Sequence, residues 1–245
     1  MATLELCASS YKDAYKASFY HIKRIELNSA LSLGGLTPSY SLFNKIHRDF
    51  PDLDIICMVR IRPGGFNYSD QEYEIMKEDV KYFLSHGAKG IAFGFLNEDH
   101  TINESRTKQF IELIHSYNTT AVFHRAIDLT NDISASTAKL VSLHIDRILT
   151  SGGKENAIKG KEVIATLVKE YGHQVDIQAG CGINSHNVKE LLDLHVSSIH
   201  GSFGKIETDT TSYNDFISFD YIGKGQYEVV DENKLKLMMD IIKEY

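Results

Sequence analysis

Cysteine is scarce and scattered. Cys7, Cys57 and Cys181 are the only three in 245 residues, an odd number with no C-x-x-C pair among them. That excludes a disulfide framework and a closed structural zinc site, and it suits a reducing compartment. No apolar run approaches the roughly 18 residues that a bilayer crossing needs, so no membrane span is expected. The opening segment from Met1 to Cys7 has neither a basic n-region nor an apolar h-region, and Arg-rich transit character is missing. The expected location is therefore the cytoplasm. Basic charge is also short: 26 Lys and Arg stand against 33 Asp and Glu, for a net charge of −7. With no dense basic stripe, the footprint of a nucleic-acid binder is absent. The expected ligand is small, and nothing in the composition excludes a homo-oligomer. What is present is the ordinary mixture of a globular protein, 42% hydrophobic and 24% charged, long enough to bury a large core.

Short runs of β-formers recur along the chain with amphipathic stretches between them. They cover residues 4–9, 24–29, 55–61, 90–96, 120–127, 147–151, 175–179 and 198–202. Each start follows the last by about the length of one βα unit. Helix signals fill the gaps: Thr37-Pro38 as N-cap and N1, Ser69 to Glu72 as a capping box, and Asn184 or Ser185 opening a stretch that ends near His195. Eight strands, their crossover helices and a last helix over about 231–243 predict an α/β fold, a single-domain (β/α)₈ TIM barrel spanning 1–245. A doubly wound open sheet is the rival. An internal echo favours closure, because His21-Ile22-Lys23-Arg24-Ile25-Glu26-Leu27 and His144-Ile145-Asp146-Arg147-Ile148-Leu149-Thr150 share four of seven residues four βα units apart. Arg24 and Arg147 then begin their strands at the bottom of the barrel, where an ion pair is expected. The segment 203–228, rich in Gly, Ser, Thr and Tyr, reads as a long loop over the barrel mouth.

In a parallel barrel the site is built at the carboxyl ends of the strands. There the second strand offers Glu26 and Asn28 on one side, with Ile25 and Leu27 facing the helices. The third offers Arg60 and Arg62 before a glycine turn, Arg60 as partner of Glu26 and Arg62 as the better anion ligand. His124, Arg125 and Asp128 form the densest ionisable set. His124 is a candidate acid, base or metal ligand, with Asp128 to orient it or to hold Arg62. Ser151, Gly180, Gly182, Gly201 and Ser202 close the later strands in the manner of a backbone anion cradle. For a soft metal the candidates are Cys7 and Cys181, flanking the strand that carries His200. Thiolate and imidazole suit Cu(I) or Zn²⁺, provided that the two thiols stand at the same height.

Several of these words together, Arg24-Ile25-Glu26-Leu27, Ala30 to Ser39, Met58 to Pro63, Phe123-His124-Arg125-Ala126, Asp146 to Gly152 and Ile199-His200-Gly201-Ser202, resemble the CutC family. The resemblance implies a cytoplasmic (β/α)₈ barrel tied to copper homeostasis and Cu(I) binding. The polar positions it carries over are Glu26, Arg60, Arg62, His124, Arg125, Asp128 and His200. The family usually has a glycine triplet after the seventh strand, whose middle member here is Cys181. The alternative function is a barrel enzyme of lyase, isomerase or hydrolase type acting on a small anionic substrate, phosphorylated ones included. In that reading Glu26, His124 and Asp128 are catalytic, and Asn28, Arg60, Arg62, Arg125, Ser151, His200 and the glycine loops bind the substrate.

Overall fold

The sequence alternates β-branched and apolar quartets with amphipathic helices, and the computed structural model, which describes residues 2–219 and 222–245, closes them into a ring. The strands are β1 (Thr3–Ala8), β2 (Arg24–Leu27), β3 (Asp54–Met58), β4 (Gly90–Phe93), β5 (Thr120–Phe123), β6 (Arg147–Thr150), β7 (Asp176–Gly180) and β8 (Ser198–Gly201). All pair in parallel with their sequence neighbours, and β8 returns to β1 through Thr3 opposite Ser198 and Glu5 opposite His200. The open-sheet rival is excluded. Helices α1 (Tyr11–Phe19), α2 (Tyr40–Asp49), α3 (Asp70–Ser85), α4 (Glu104–His115), α5 (Ile133–Ser142), α6 (Lys161–Tyr171), α7 (Val188–Leu192) and α8 (Glu232–Glu244) form the outer layer.

Strand parity separates two interiors. Ile25, Leu27, Ile55, Cys57 and Val59 face outward into one large core shared with helix residues such as Phe43, Phe83 and Phe110. Inside the ring, Ile56, Met58, Ala92 and Val122 of β3, β4 and β5 form a separate small apolar cluster. Most of the remaining inward positions are polar, among them Glu5, Glu26, Arg147, Gln178 and His200, with Leu149 an apolar exception.

Capping is read correctly from the sequence in α3, where Ser69 accepts from Glu72 N–H and Glu72 reaches back to Ser69 N–H. It is not in α2, whose N-cap is Ser39; the Thr37 hydroxyl instead accepts the Arg60 N–H at 3.0 Å. The stretch from Asn184 forms turns until Val188, because the Asn187 side chain accepts the Asn184 N–H and holds the turn. β5 stops at Phe123, where His124 caps a 3₁₀ turn over Arg125–Leu129. The segment expected as a loop over 203–228 carries β9 (Gly204–Thr208) and, running on from it, β10 (Gln226–Val230), an antiparallel pair. Residues 220 and 221 within it, and residue 1, lie outside the described residues. The pair docks on the barrel where Asp13 of α1 accepts the Val230 N–H.

The internal echo has a shared geometry. His21 and His144 each follow a helix in the left-handed region, at φ 57° and 64°. The arginine three residues on then enters its strand, and Arg24 and Arg147 both reach Glu5, at 2.6 and 3.6 Å.

Candidate functional site

Glu5 sits on the barrel floor, buried, with one carboxylate oxygen facing Arg24 and Arg147. The other accepts from Gln178 Nε2 at 2.9 Å and lies 2.8 Å from His200 Nδ1. Burial alone would raise its pKa, but the His200 hydrogen bond and the charges of His200, Arg24 and Arg147 hold it at about 2. One layer up, Cys7 pairs in register with Glu26 on β2. His200, carried by β8 on the other side of β1, turns its second nitrogen toward both. One ligand atom from each of Cys7, Glu26 and His200 lies within 4.8 Å of the other two, and all three residues are buried. Asn28 donates to the Cys7 sulfur at 3.1 Å. The Glu26 carboxylate is 4.0 Å from His200 Nε2 at its nearer oxygen, and its other oxygen has no partner. Burial, reinforced by the Glu5 charge and opposed by His200 and Asn28, pushes the Glu26 carboxyl up to about 7. Burial also lowers His200, but the surrounding Glu26, Cys7 and Glu5 outweigh it and raise His200 well above the ordinary imidazole range.

Glu26, Asn28 and His200 of this group form one wall of a cavity of about 870 Å³ at the carboxyl ends of the strands. The opposite wall is built from β3 and β5. Arg60 is buried; its terminal nitrogens donate to the carbonyls of Leu33, Gly35 and Gly64 at 2.8–3.0 Å. His124 accepts the Ala126 N–H on Nδ1 at 3.2 Å, and the Phe66 ring packs against both His124 and Arg60. Burial first, and then the Arg60 charge, press His124 down to about 3.

Several expectations change here. Arg60 is not the partner of Glu26, because loop carbonyls take its terminal donors. Burial and the Arg60 charge press His124 below the near-neutral range expected for it and hold its ring in the neutral form. Arg62 does not line the cavity; it is paired with Glu72, the capping residue of α3. Asp128 neither orients His124 nor holds Arg62. It accepts from Arg125 Nε, Thr150 Oγ1, the Ser151 hydroxyl and the N–H groups of Ser151 and Gly153, which makes it the clasp of the loop after β6. Arg125 also donates to Ser151 Oγ.

Of the glycine-loop positions, Gly182, Gly201 and Ser202 line the cavity, and Ser202 donates to Glu228. Gly180 is the last residue of β7 and packs beside the Leu149 side-chain tip and the His200 ring. The two expected thiols separate: Cys7 joins Glu26 and His200, whereas Cys181 sits above them, its sulfur 3.3 Å from the Glu155 carbonyl and its backbone at φ 80°, where glycine is the natural residue. Glu5, Gln178 and Phe66 escaped the sequence reading. Parity with Cys7 points to Glu5, since the two lie two residues apart on one strand. Phe66, in a loop, gives no such signal.

The donors fit a soft metal ion. A thiol and an imidazole are the ligands that Cu(I) prefers, a Glu26 carboxylate oxygen supplies a third, and a carboxylate on the far nitrogen of the histidine is the usual support behind a metal-bound imidazole.

The model of the CutC family matches residues 2–205. A CutC family protein of Treponema denticola is 39% identical over 230 residues, 93% of this chain and 91% of that protein. A protein of Caenorhabditis elegans named copper homeostasis protein cutC homolog is 33% identical over 190 residues, 78% of this chain and 75% of that protein. The crystal structure of CutC from Streptococcus agalactiae superposes with a TM-score of 0.77 at 28% identity, covering 82% of this chain and 99% of that one. With matches to the family model, to relatives along nearly its whole length and to a solved barrel, this chain belongs to the CutC family.

Proposed function

We propose that this protein serves copper homeostasis by holding Cu(I) as cargo at Cys7, His200 and Glu26. The observation that carries the reading is the convergence of the three donor atoms within 4.8 Å beneath an open cavity, with His200 fixed from behind by Glu5 at 2.8 Å. The copper name of the Caenorhabditis relative supplies the identity of the metal, and thiol with imidazole agrees with Cu(I). Three free cysteines suit the reducing cytoplasm, which we take as the setting. Burial raises the Cys7 thiol, and Glu26 adds to that, so the free site keeps its proton. Metal binding would release it. Asn28 would steady the sulfur, and Glu5 would keep the imidazole turned toward the ion.

The test is competition for Cu(I) against a chromogenic chelator under reducing conditions. Glu5→Gln should weaken binding by about 10–100-fold, the usual effect of losing a support behind a ligand. Cys7→Ser should weaken it further, and Cys181→Ser should leave it unchanged. Unaltered affinity in Cys7→Ser would remove this site.

A further inference from the structure

The wall facing the metal-ligand group poses a separate question. Arg60 is 6% exposed, and among the described residues no carboxylate lies within ion-pair distance of it. Three carbonyls fix its terminal nitrogens, but they carry partial charges only, and Arg60 Nε has no hydrogen-bond partner. A buried charge ordinarily requires a counter-charge. Beside it, His124 is 3% exposed, and its Nδ1 accepts a backbone N–H. In the neutral imidazole the ring proton is therefore on Nε2, and Nε2 is also buried without a partner. The Phe66 ring lies 4.9 Å from the His124 ring and 5.1 Å from the Arg60 guanidinium carbon, and all three residues line the cavity. The neighbouring Arg125 is already neutralised by Asp128 at 2.8 Å. Lys234 and Glu228, the remaining charges on the lining apart from Glu26 and His200, belong to the side of the hairpin and α8.

We infer that this wall is a binding site for the carboxylate of a small organic acid, whose negative charge answers Arg60 and one of whose oxygens accepts from His124 Nε2. A carboxylate suits the site better than a phosphate, because one unneutralised guanidinium and one neutral N–H donor offer a single positive charge and few free donors. Met58, Leu31 and Phe66 present an apolar surface to the remainder of the ligand. The site lies on β3, β5 and their loops, apart from Cys7, Glu26 and His200, so it does not depend on copper.

The experiment uses the metal-free full chain, labelled with ¹⁵N in histidine, and titrates it with pyruvate and, separately, with inorganic phosphate while the ring resonances are followed. Pyruvate should shift the His124 ring saturably. His124→Phe should weaken pyruvate binding, seen by calorimetry, about tenfold or more, the equivalent of one lost hydrogen bond to a charged group. Arg60→Gln should weaken it further. Because Arg60 also ties two loops together and its variant can lose its fold, the wild-type ring shift and His124→Phe carry the test. The inference is overturned if pyruvate produces no saturable shift, or if His124→Phe binds it as tightly as the wild type. It is overturned as to ligand class if phosphate binds more tightly than pyruvate.

Discussion

His124 and His200 are both buried, each with Nδ1 engaged in a hydrogen bond, and both line one cavity. Yet His124 is pressed down to about 3 and His200 is raised well above the ordinary range. Desolvation acts on both in the same direction and so does not explain the difference. The neighbours do: Arg60 faces one ring, while Glu5 and Glu26 face the other. The cavity thus has a wall with spare positive charge and a wall whose carboxylates surround the ring. The same residue type is a neutral donor on the first and a cation, or a metal ligand once deprotonated, on the second. Chemistry here follows from what the opposing strand carries.

The largest effect should separate the two carboxylates of the anionic wall. Glu5 is the common partner of Arg24, Arg147 and His200, so Glu5→Gln strands buried positive charge and should cost about 3–5 kcal/mol in urea unfolding at neutral pH. Glu26 has one distant cationic neighbour and an unpartnered oxygen. Its carboxyl is held up near 7 by burial, and Glu26→Gln should change stability by about 1 kcal/mol or less. Equal losses in the two variants would break the division between a structural floor and a functional layer above it.

The cationic wall makes a pH prediction. His124 has its folded pKa depressed to about 3 from an ordinary 6.5, so the unfolded chain binds the extra proton. The stability due to the neutral ring is complete above 6.5 and is lost progressively as the pH falls from there toward 3. Between pH 7 and 5 the loss should be about 2 kcal/mol, at 1.36 kcal/mol for each pH unit below the unfolded value. His124→Phe cannot take up the proton, and the difference between variant and wild type should shift toward the variant by that amount over the same interval. A constant difference would mean that Arg60 and burial do not hold the ring neutral.

The barrel itself is legible because closure needs only period-two strands at regular spacing, and each of the eight runs overlaps its strand, five of them containing it whole. Parity also places Glu26 and Asn28 inside and Ile25 and Leu27 outside, since a strand permits no third direction. The site was less legible, because partners come from loops whose paths periodicity does not encode. Strand order pairs Arg60 with the carboxylate of the neighbouring strand, but the 31–36 loop and Gly64 bring carbonyls to it first. Arg62 carried a visible warning, in that Glu72 of the capping box lies ten residues on and its carboxylate serves both the helix terminus and the guanidinium. Height along the barrel was the other hidden quantity. Cys7 lies on β1 and Cys181 follows the end of β7, the two strands that flank β8, so the thiols differ in height, and Glu26 instead stands level with Cys7.

The smallest expected effect is the one that decides whether the two walls work separately. Glu5 and His124 share no hydrogen-bond or ion-pair partner: Glu5 engages Arg24, Arg147, Gln178 and His200, and His124 engages the backbone of Ala126 and the Phe66 ring. Residues without common partners usually contribute additively to within about 0.3–0.5 kcal/mol. Combining Glu5→Gln with His124→Phe should therefore give the sum of the single losses at pH 7, where His124 is neutral and contributes no charge to the cycle. A coupling above about 1 kcal/mol would show that the walls communicate across the cavity, so that a cation on one side and an anion on the other could not be loaded independently. Additivity would mean that the fold holds two separately tunable recognition surfaces above one floor.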